Sequence, residues 1–253
     1  MRIVAVIPAR YQSTRFEGKP LADICGRPMI WWVYNQVKKV DVLNNVYVAT
    51  DDIKIAKVCE QHNIEYIMTR NNHPDHISRV QEVSEKILAD YYVCVNGDEP
   101  LIEPQHIKKV ITAQLSTDYK NDIEVFRGAM RLLKDPAETI DMSNIKLAIS
   151  KDEVCVYMSR ATIPYPKGSL LFSYYKYEGI ECFNKKALDF FVNTPMGTLE
   201  RIEDIDHLRF IENGIKLYFT EVDSDSISVD TPKDLEKVRC KIEEGIKNGK
   251  YSN

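Results

Sequence analysis

The sequence lacks the features that mark zinc-binding, disulfide-rich, membrane-spanning and nucleic-acid-binding proteins. Its six cysteines stand far apart with no CxxC pair, which argues against a zinc knuckle, a redox motif or a disulfide framework and predicts mostly buried thiols. No run is apolar for long enough to span a bilayer or to act as a signal peptide, so we expect a cytoplasmic protein without a membrane partner. The formal charge is −4, and without a basic patch no nucleic-acid partner is expected.

Two familiar phosphate-binding motifs are also missing. Gly18 and Lys19 precede Pro20, where a P-loop has Ser or Thr, and no GxGxxG motif occurs. A P-loop NTPase and a dinucleotide-dependent dehydrogenase are therefore poor fits. The chain of 253 residues is long enough for a substantial core, and we interpret residues 1–253 as a single domain.

Alternating strands and helices indicate a parallel sheet over the first hundred residues. Apolar β-branched runs predict the strands, and the segments between them carry apolar residues at helical spacing. Parallel pairing with helical crossovers follows from this alternation, so a ligand is expected at the carboxyl ends of the strands. The predicted strands cover 2–7, 45–50, 64–68 and 91–95, and the predicted helices begin at Pro28 and cover 53–62 and 77–89.

Beyond about residue 120, strand-like segments follow one another without long helices, which predicts an antiparallel extension over about 123–183. A capping box at Thr231, with proline in the next position, predicts the start of a last helix. The fold class is therefore α/β: a Rossmann-like domain with a mostly parallel central sheet, helices on both faces and an antiparallel extension. The remaining predicted elements are strands over 123–133, 145–150, 153–159 and 216–222 and a helix over 198–214.

The loop after the first strand is rich in cations. The segment IPARYQSTRFEGKPL, residues 7–21, contains Arg10, Arg15 and Lys19 but only one acid, Glu17. Long cations at the ligand edge of a sheet can neutralise a triphosphate through charge-assisted hydrogen bonds. The segment therefore favours a polyphosphate ligand, and a solvated loop with ordinary surface charges is the alternative.

Two aspartates are candidates for a metal site. Asp98 follows the fourth strand in CVNGDEPLI, and Gly97 allows the chain to turn close to a ligand. Mg²⁺ prefers one or two carboxylates together with phosphate oxygens, and Asp230 in SVDTPKDL is the candidate for the second carboxylate. The alternatives are a turn residue and a helix-cap residue. Three histidines on polar helical segments are expected at the surface rather than as metal ligands: His62, His106 and His207.

Seven segments, in order, resemble the 3-deoxy-manno-octulosonate (Kdo) cytidylyltransferases, the CMP-Kdo synthetases. The IPARxxSTRxxxKPL block is shared more loosely with other sugar nucleotidyltransferases, whereas the later SRxxIP and VDTPxDL blocks narrow the match. The resemblance extends over nearly the whole chain. The segments are 2–30, 48–52, 69–73, 96–104, 158–166, 199–209 and 228–239.

This resemblance implies an enzyme that transfers CMP from CTP to the anomeric hydroxyl of a 2-keto-3-deoxy sugar acid and releases pyrophosphate. Mg²⁺ is the implied cofactor, with Asp98 and Asp230 as its ligands, and a homodimer formed through the antiparallel extension is implied as well. The implied catalytic residues are Arg10, Lys19, Asp98 and Asp230. The implied nucleotide-binding residues are Arg10, Ser13, Arg15, Lys19, Arg70 and His73.

A second group of residues matches the acceptor side of this family. Arg160 occupies the position that meets the sugar acid, and a guanidinium fork fits a carboxylate. Asn96 lies on the sugar side of the pocket, and Tyr177 lines either a dimer sheet or the acceptor pocket. Glu200 and Glu203 either contact the sugar or face solvent.

The chain departs from the family pattern mainly on the acceptor side. Asn96 stands where the family usually has Gln, and Asp75, His76 and Ile77 stand where Ser, Gly and Thr are expected. The segment 175–183 lacks the histidine and tyrosine expected to touch the sugar. Because pockets that hydrogen-bond specific hydroxyls discriminate strongly, cytidylyl transfer is better supported than the identity of the acceptor. A nucleotidyltransferase acting on a sugar 1-phosphate and a non-catalytic nucleotide-sugar sensor are the alternatives.

Overall fold

The computed structural model describes residues 1–13, 16–119, 121–168 and 173–251, and it confirms the α/β class. The chain divides into two compact units, Met1–Ile107 with Ser224–Asn253 and Lys108–Asp223, and the single domain stays a prediction. In chain order the elements are β1 (Ile3–Ala9), β2 (Asp23–Ile24), β3 (Arg27–Pro28), α1 (Met29–Lys38), β4 (Asn45–Thr50), α2 (Ile53–Gln61), β5 (Tyr66–Met68), α3 (His76–Lys86), β6 (Tyr91–Val95), α4 (Pro104–Ser116), β7 (Phe126–Leu132), α5 (Pro136–Ile140), β8 (Lys146–Ile149), β9 (Cys155–Ser159), β10 (Tyr175–Phe183), α6 (Lys185–Asn193), α7 (Thr198–Glu203), α8 (Leu208–Glu212), β11 (Tyr218–Glu221) and α9 (Pro232–Lys247).

The first unit contains parallel strands in the order β6, β1, β4, β5. Strand β1 pairs Ala5 with Val46 on one side and Ile3 with Tyr91 on the other. The chain passes from β1 to β4 and later returns to β6 on the opposite side of β1. The carboxyl end of β1 is therefore a topological switch point, the place where open α/β sheets bind ligands.

The helices that begin at this edge are capped by polar side chains. The side chains of Asp52 and Asp75 accept hydrogen bonds from the backbone N–H groups of Lys54 and Ser78, at 2.7 and 2.6 Å. The capping box predicted at Thr231 is present at the start of α9. Each cap satisfies an N–H group that the first helical turn leaves unpaired, and so defines where the helix starts.

The second unit contains the predicted antiparallel extension. Strand β10 pairs antiparallel with β7 and β8, and β8 pairs antiparallel with β9. Strand β11 runs parallel to β7. Buried aromatic rings form part of the core of this unit, with the ring centroids of Phe126 and Phe183 5.0 Å apart.

The helix predicted over 198–214 is wrong in one respect, because the chain forms two helices, α7 and α8. The break lies at Asp204, whose φ of 53° is in the left-handed region. The guanidinium of Arg160 donates to the carbonyl oxygens of Glu203 and Asp204, both at 2.8 Å. These bonds satisfy carbonyl groups at the end of α7, so the helix ends there.

The structure can be compared with the sequence on two features, membrane-spanning helices and cysteines. Over the ranges described, no helix is long and apolar enough to cross a membrane. All six cysteines are free thiols, and four are buried, as predicted. Burial raises the pKa of Cys59 and of Cys155 to about 12, which keeps these thiols protonated and unreactive at neutral pH.

Candidate active site

Lys19 lies between two carboxylates at the carboxyl edge of the first unit's sheet. Its Nζ donates to Asp98 Oδ2 at 2.6 Å and lies 3.6 Å from Asp230 Oδ1. The side chains of Lys19, Asp98 and Asp230 are 16%, 24% and 28% exposed, so water screens these charges only in part. The sequence predicts all three residues in the site, and the structure brings them together.

A backbone hydrogen bond closes the loop after β1 just before Lys19, whose side chain contacts Asp98. The backbone N–H of Gly18 donates to the carbonyl oxygen of Tyr11 at 2.8 Å, and Gly18 has a φ of 68°. A side chain at Gly18 would be strained in this conformation. The ammonium of Lys54 lies 3.9 Å from the centroid of the Tyr11 ring, a cation–π contact that ties the loop to the first turn of α2.

A backbone contact brings Asp230 to Asp98. The carbonyl oxygen of Asp98 accepts a hydrogen bond from the N–H of Val229 at 2.9 Å, so the next residue, Asp230, enters the site. Gly97 lies against the end of β1, where an added Cβ would be 2.7 Å from the carbonyl oxygen of Pro8. Only glycine fits this approach, and it places Asp98 beside the loop that carries Lys19.

Glu99 also helps to hold Asp230 close to Asp98. Its buried carboxylate accepts a hydrogen bond from the hydroxyl of Ser226 at 2.5 Å. This bond ties the segment that leads to Asp230 to the loop after β6. Sequence reasoning assigned Glu99 no role, although its place beside Asp98 at the end of a buried strand was the available signal.

The loop after β5 surrounds the carboxylate of Glu82. Glu82 Oε2 accepts from Arg70 N at 2.9 Å, Arg70 Nε at 3.2 Å and His73 Nε2 at 2.5 Å, and Oε1 accepts from Lys86 Nζ at 2.7 Å. Burial acts to raise the pKa of Glu82, but hydrogen bonds from Lys86, Arg70 and His73 outweigh it and lower the pKa to about 2. The ordinary value is 4.5, so the resulting stability is fully present above that pH and is lost as the pH falls toward 2.

Two of the three residues after His73 that differ from the family pattern have structural roles. Asp75 caps α3, and Ile77 is fully buried in the core. The hydroxyl oxygen of Ser78 lies 3.1 Å from Nδ1 of His73. The altered segment therefore holds His73 in place by contacts of its own.

Four further predicted site residues remain: Arg10, Ser13 and Arg15 on the nucleotide side and Asn96 on the sugar side. Arg10 is exposed at the end of β1, and Ser13 and Asn96 are half-buried. Arg15 lies outside the described residues. The roles assigned to these four residues stay predictions.

Comparison with known proteins decides the family. A family model described as Cytidylyltransferase matches residues 4–217. The mitochondrial 3-deoxy-manno-octulosonate cytidylyltransferase of Arabidopsis thaliana is 38% identical over 249 residues, 96% of this chain and 84% of that protein; the Escherichia coli enzyme of the same name is 34% identical over 239 residues, 94% and 95%. A solved structure of CMP:2-keto-3-deoxy-manno-octonic acid synthetase complexed with CTP has a TM-score of 0.90, with 33% identity, over 96% of this chain and 99% of that one. This chain belongs to the 3-deoxy-manno-octulosonate cytidylyltransferase family.

In this Kdo cytidylyltransferase-family chain, Arg160 and Glu203 lie together in the second unit. Arg160 donates to the carbonyl oxygens of Glu203, Asp204 and Met142, the last at 3.2 Å. The carboxylate of Glu203 accepts from Ser159 Oγ at 2.7 Å and from the backbone N–H of Arg160 at 3.0 Å. Arg160 is therefore held by backbone carbonyls, and its contact with a sugar acid, like that of Glu203, stays a prediction.

Lys146 positions the backbone of Arg160 and was missed by sequence reasoning. Its ammonium is fully buried and donates to the carbonyl oxygens of Asp141, Asn144 and Arg160 at 2.8, 2.7 and 2.5 Å. Burial lowers the pKa of Lys146. In the alternating segment IKLAIS this lysine has the pattern of a solvent-facing strand residue, so no local signal marks it.

Tyr177 belongs to a buried polar group. Its hydroxyl donates to Glu181 Oε1 at 2.7 Å, and Nε2 of His207 contacts the same oxygen. Glu181 and His207 are both buried. The surface position predicted for His207 is therefore wrong. It is also wrong for His106, which is buried, because a polar helical pattern does not reveal burial of a single side chain. The substrate contact of Tyr177 stays a prediction.

Glu200 forms a buried ion pair. Its Oε2 accepts from Arg209 Nε at 2.8 Å and its Oε1 from Arg209 Nη2 at 2.5 Å. The Arg209 guanidinium also lies 3.8 Å from the centroid of the Phe191 ring. Of the two alternatives for Glu200, solvent exposure is wrong because the residue is buried, and substrate contact stays a prediction.

We expect Arg209→Met to destabilise the protein by about 3–5 kcal/mol, because it leaves the Glu200 carboxylate buried without its partner. Urea unfolding followed by circular dichroism measures the loss. The double variant Arg209→Met/Glu200→Leu should regain much of it, since no buried charge remains unpaired. A single variant that unfolds at the wild-type urea midpoint would contradict the structural role of the pair.

Proposed function

We propose that this chain transfers CMP from CTP to the anomeric hydroxyl of Kdo or a close 2-keto-3-deoxy sugar acid and releases pyrophosphate. The observation that carries the proposal is the contact of Lys19 with Asp98 and Asp230 at the switch point of the sheet. Family membership and the likeness to a synthetase complexed with CTP support it.

The proposed reaction is an in-line substitution at phosphorus. The anomeric oxygen forms a bond to the α-phosphorus, the bond from that phosphorus to the α,β-bridging oxygen breaks, and pyrophosphate leaves with the electron pair. The hydroxyl releases its proton to solvent water. Positioning and charge neutralisation provide most of the catalysis in such reactions, and Lys19 and Arg10 are the cations that oppose the charge growing on pyrophosphate.

We propose Mg²⁺ as the cofactor, and the donor set fits it. Oδ1 of Asp98 is buried and has no hydrogen-bond partner within the described part of the chain, and a buried carboxylate oxygen requires compensation. Asp98 and Asp230 would hold the ion, since carboxylate oxygens are ligands that Mg²⁺ accepts. When bound, Mg²⁺ lowers the pKa of a hydroxyl and neutralises phosphate charge.

Pyrophosphate release is the direct test. The protein, CTP and Mg²⁺ should release pyrophosphate with unphosphorylated Kdo or a related keto sugar acid, and not with hexose 1-phosphates. Release with a sugar 1-phosphate alone would establish the first alternative. Binding of CTP without release of pyrophosphate from any acceptor in the panel would establish the nucleotide-sugar sensor.

We also propose a cytoplasmic homodimer. Large apolar side chains are exposed in the second unit, including Ile140, Met142 and Val156, which are 76%, 73% and 61% exposed. Val156 lies on β9, which pairs with β8, within the antiparallel extension to which the resemblance assigns the dimer. Light scattering during size-exclusion chromatography measures the mass, and a monomer at micromolar concentration would contradict this assembly.

A further inference from the structure

Glu82 is a buried carboxylate whose hydrogen bonds are concentrated on one loop. Its side chain is 6% exposed, and all three donors to Oε2 belong to Arg70 and His73, in the loop after β5. A buried carboxylate is stable only when it is paired. Movement of this loop would therefore leave Oε2 of Glu82 without partners, so Glu82 fixes the loop to α3.

The contact leaves the outer part of Arg70 available to a ligand. Glu82 engages only the backbone N–H and Nε of Arg70, and within the described ranges the four N–H bonds of Nη1 and Nη2 have no partner. The Arg70 side chain is 63% exposed. Since β5 is parallel to β4 and β4 to β1, Arg70 follows the end of its strand at the same edge of the sheet as Lys19.

We propose that Glu82 is a positioning residue for the nucleotide: by fixing the loop through Arg70 and His73, it holds the outer part of the Arg70 guanidinium where it meets the nucleoside part of CTP, apart from the cations that meet the triphosphate. This inference rests on the proposed function. Glu82 itself touches no substrate. Glu82 restricts the Arg70 side chain before CTP binds, which lowers the conformational entropy that Arg70 loses on binding.

Glu82→Gln is the first test. The amide preserves the side-chain volume but has no charge and only one acceptor oxygen for Arg70, His73 and Lys86 together. We expect the Kd for CTP, measured by isothermal titration calorimetry, to rise about tenfold, in line with the loss of one or two charge-assisted hydrogen bonds. The Kd for pyrophosphate should stay within about twofold, because pyrophosphate has no nucleoside part; this split separates positioning from a general loss of structure.

Lys86→Met is the matched control. Lys86 donates to the other oxygen of the same carboxylate, at 2.7 Å, and to the carbonyl oxygen of Met68, at 2.6 Å. The three bonds from Glu82 to the loop remain in this variant. We therefore expect a loss of stability but a wild-type Kd for CTP.

A double-mutant cycle tests whether Glu82 acts through Arg70. Arg70→Met should weaken CTP binding about as much as Glu82→Gln does, and the double variant should be little weaker than either single variant. If Glu82→Gln does not fold, Glu82→Asp gives the same test. Aspartate keeps the negative charge, but its side chain is one methylene shorter, so the carboxylate lies farther from the loop.

Three results would overturn the proposal: wild-type CTP affinity in Glu82→Gln, equal weakening of CTP and pyrophosphate, or the same loss of CTP affinity in Lys86→Met. Failure of the proposed function gives a different result, since the wild-type protein would then fail to bind CTP or to release pyrophosphate. The wild-type measurements are therefore made first and separate the two failures.

Discussion

Asp98→Asn is expected to lower kcat by about 10²–10³-fold while CTP binding stays largely in place. Asp98 Oδ2 holds the Lys19 ammonium at 2.6 Å, and Oδ1 is the buried oxygen that has no partner within the described ranges. The amide preserves the shape and removes the negative charge, which weakens the contact with Lys19 and removes a ligand of the proposed Mg²⁺. Steady-state kinetics, direct binding of CTP and the Mg²⁺ concentration for half-maximal rate measure these effects.

Asp52→Asn is the control for the loss of one negative charge at this edge of the sheet. Asp52 caps α2 through the backbone N–H of Lys54, and asparagine caps a helix as well as aspartate does. We expect wild-type kcat in this variant. A wild-type kcat and Mg²⁺ requirement in Asp98→Asn would exclude Asp98 from the site.

The strands that build this site were predictable because each has a simple signal. Strands β4 and β6 occupy the predicted residues 45–50 and 91–95, since both are short runs of mostly apolar residues between polar breaks. Parallel strands present their carboxyl ends at one edge, so the convergence of Lys19 and Asp98 followed from the order of the elements. The helical cap predicted at Thr231 then placed Asp230 just before α9.

The contacts that hold the site were not predictable, because they join residues far apart in the chain. The break at Asp204 depends on Arg160, 44 residues away, and no local pattern reveals it. Lys146 and Glu82 occupy polar positions of a strand and a helix, where charged residues usually face water. Their burial becomes evident only when the packed neighbours and their hydrogen bonds are known.

Replacing Lys19 is expected to weaken nucleotide binding and to slow the chemical step together. Lys19→Met retains the aliphatic part of the side chain and removes the ammonium that contacts both carboxylates. We expect kcat/KM for CTP to fall about 10²–10³-fold, since the lost cation opposes negative charge both in the bound triphosphate and in the departing pyrophosphate. Lys57→Met removes the same charge from an exposed position of α2 and should leave kcat/KM unchanged.

The same variant should bind Mg²⁺ more tightly when no nucleotide is present. In the wild-type protein the Lys19 ammonium neutralises Asp98 and Asp230, and without it two negative charges remain close together, a state that favours a bound cation. Calorimetric titration of Lys19→Met with Mg²⁺ alone should therefore show a higher affinity for Mg²⁺, although the same variant has a lower kcat/KM for CTP. Unchanged kcat/KM would leave the cationic loop without its role in catalysis, and a fall in Mg²⁺ affinity would show that Asp98 and Asp230 do not share one ion.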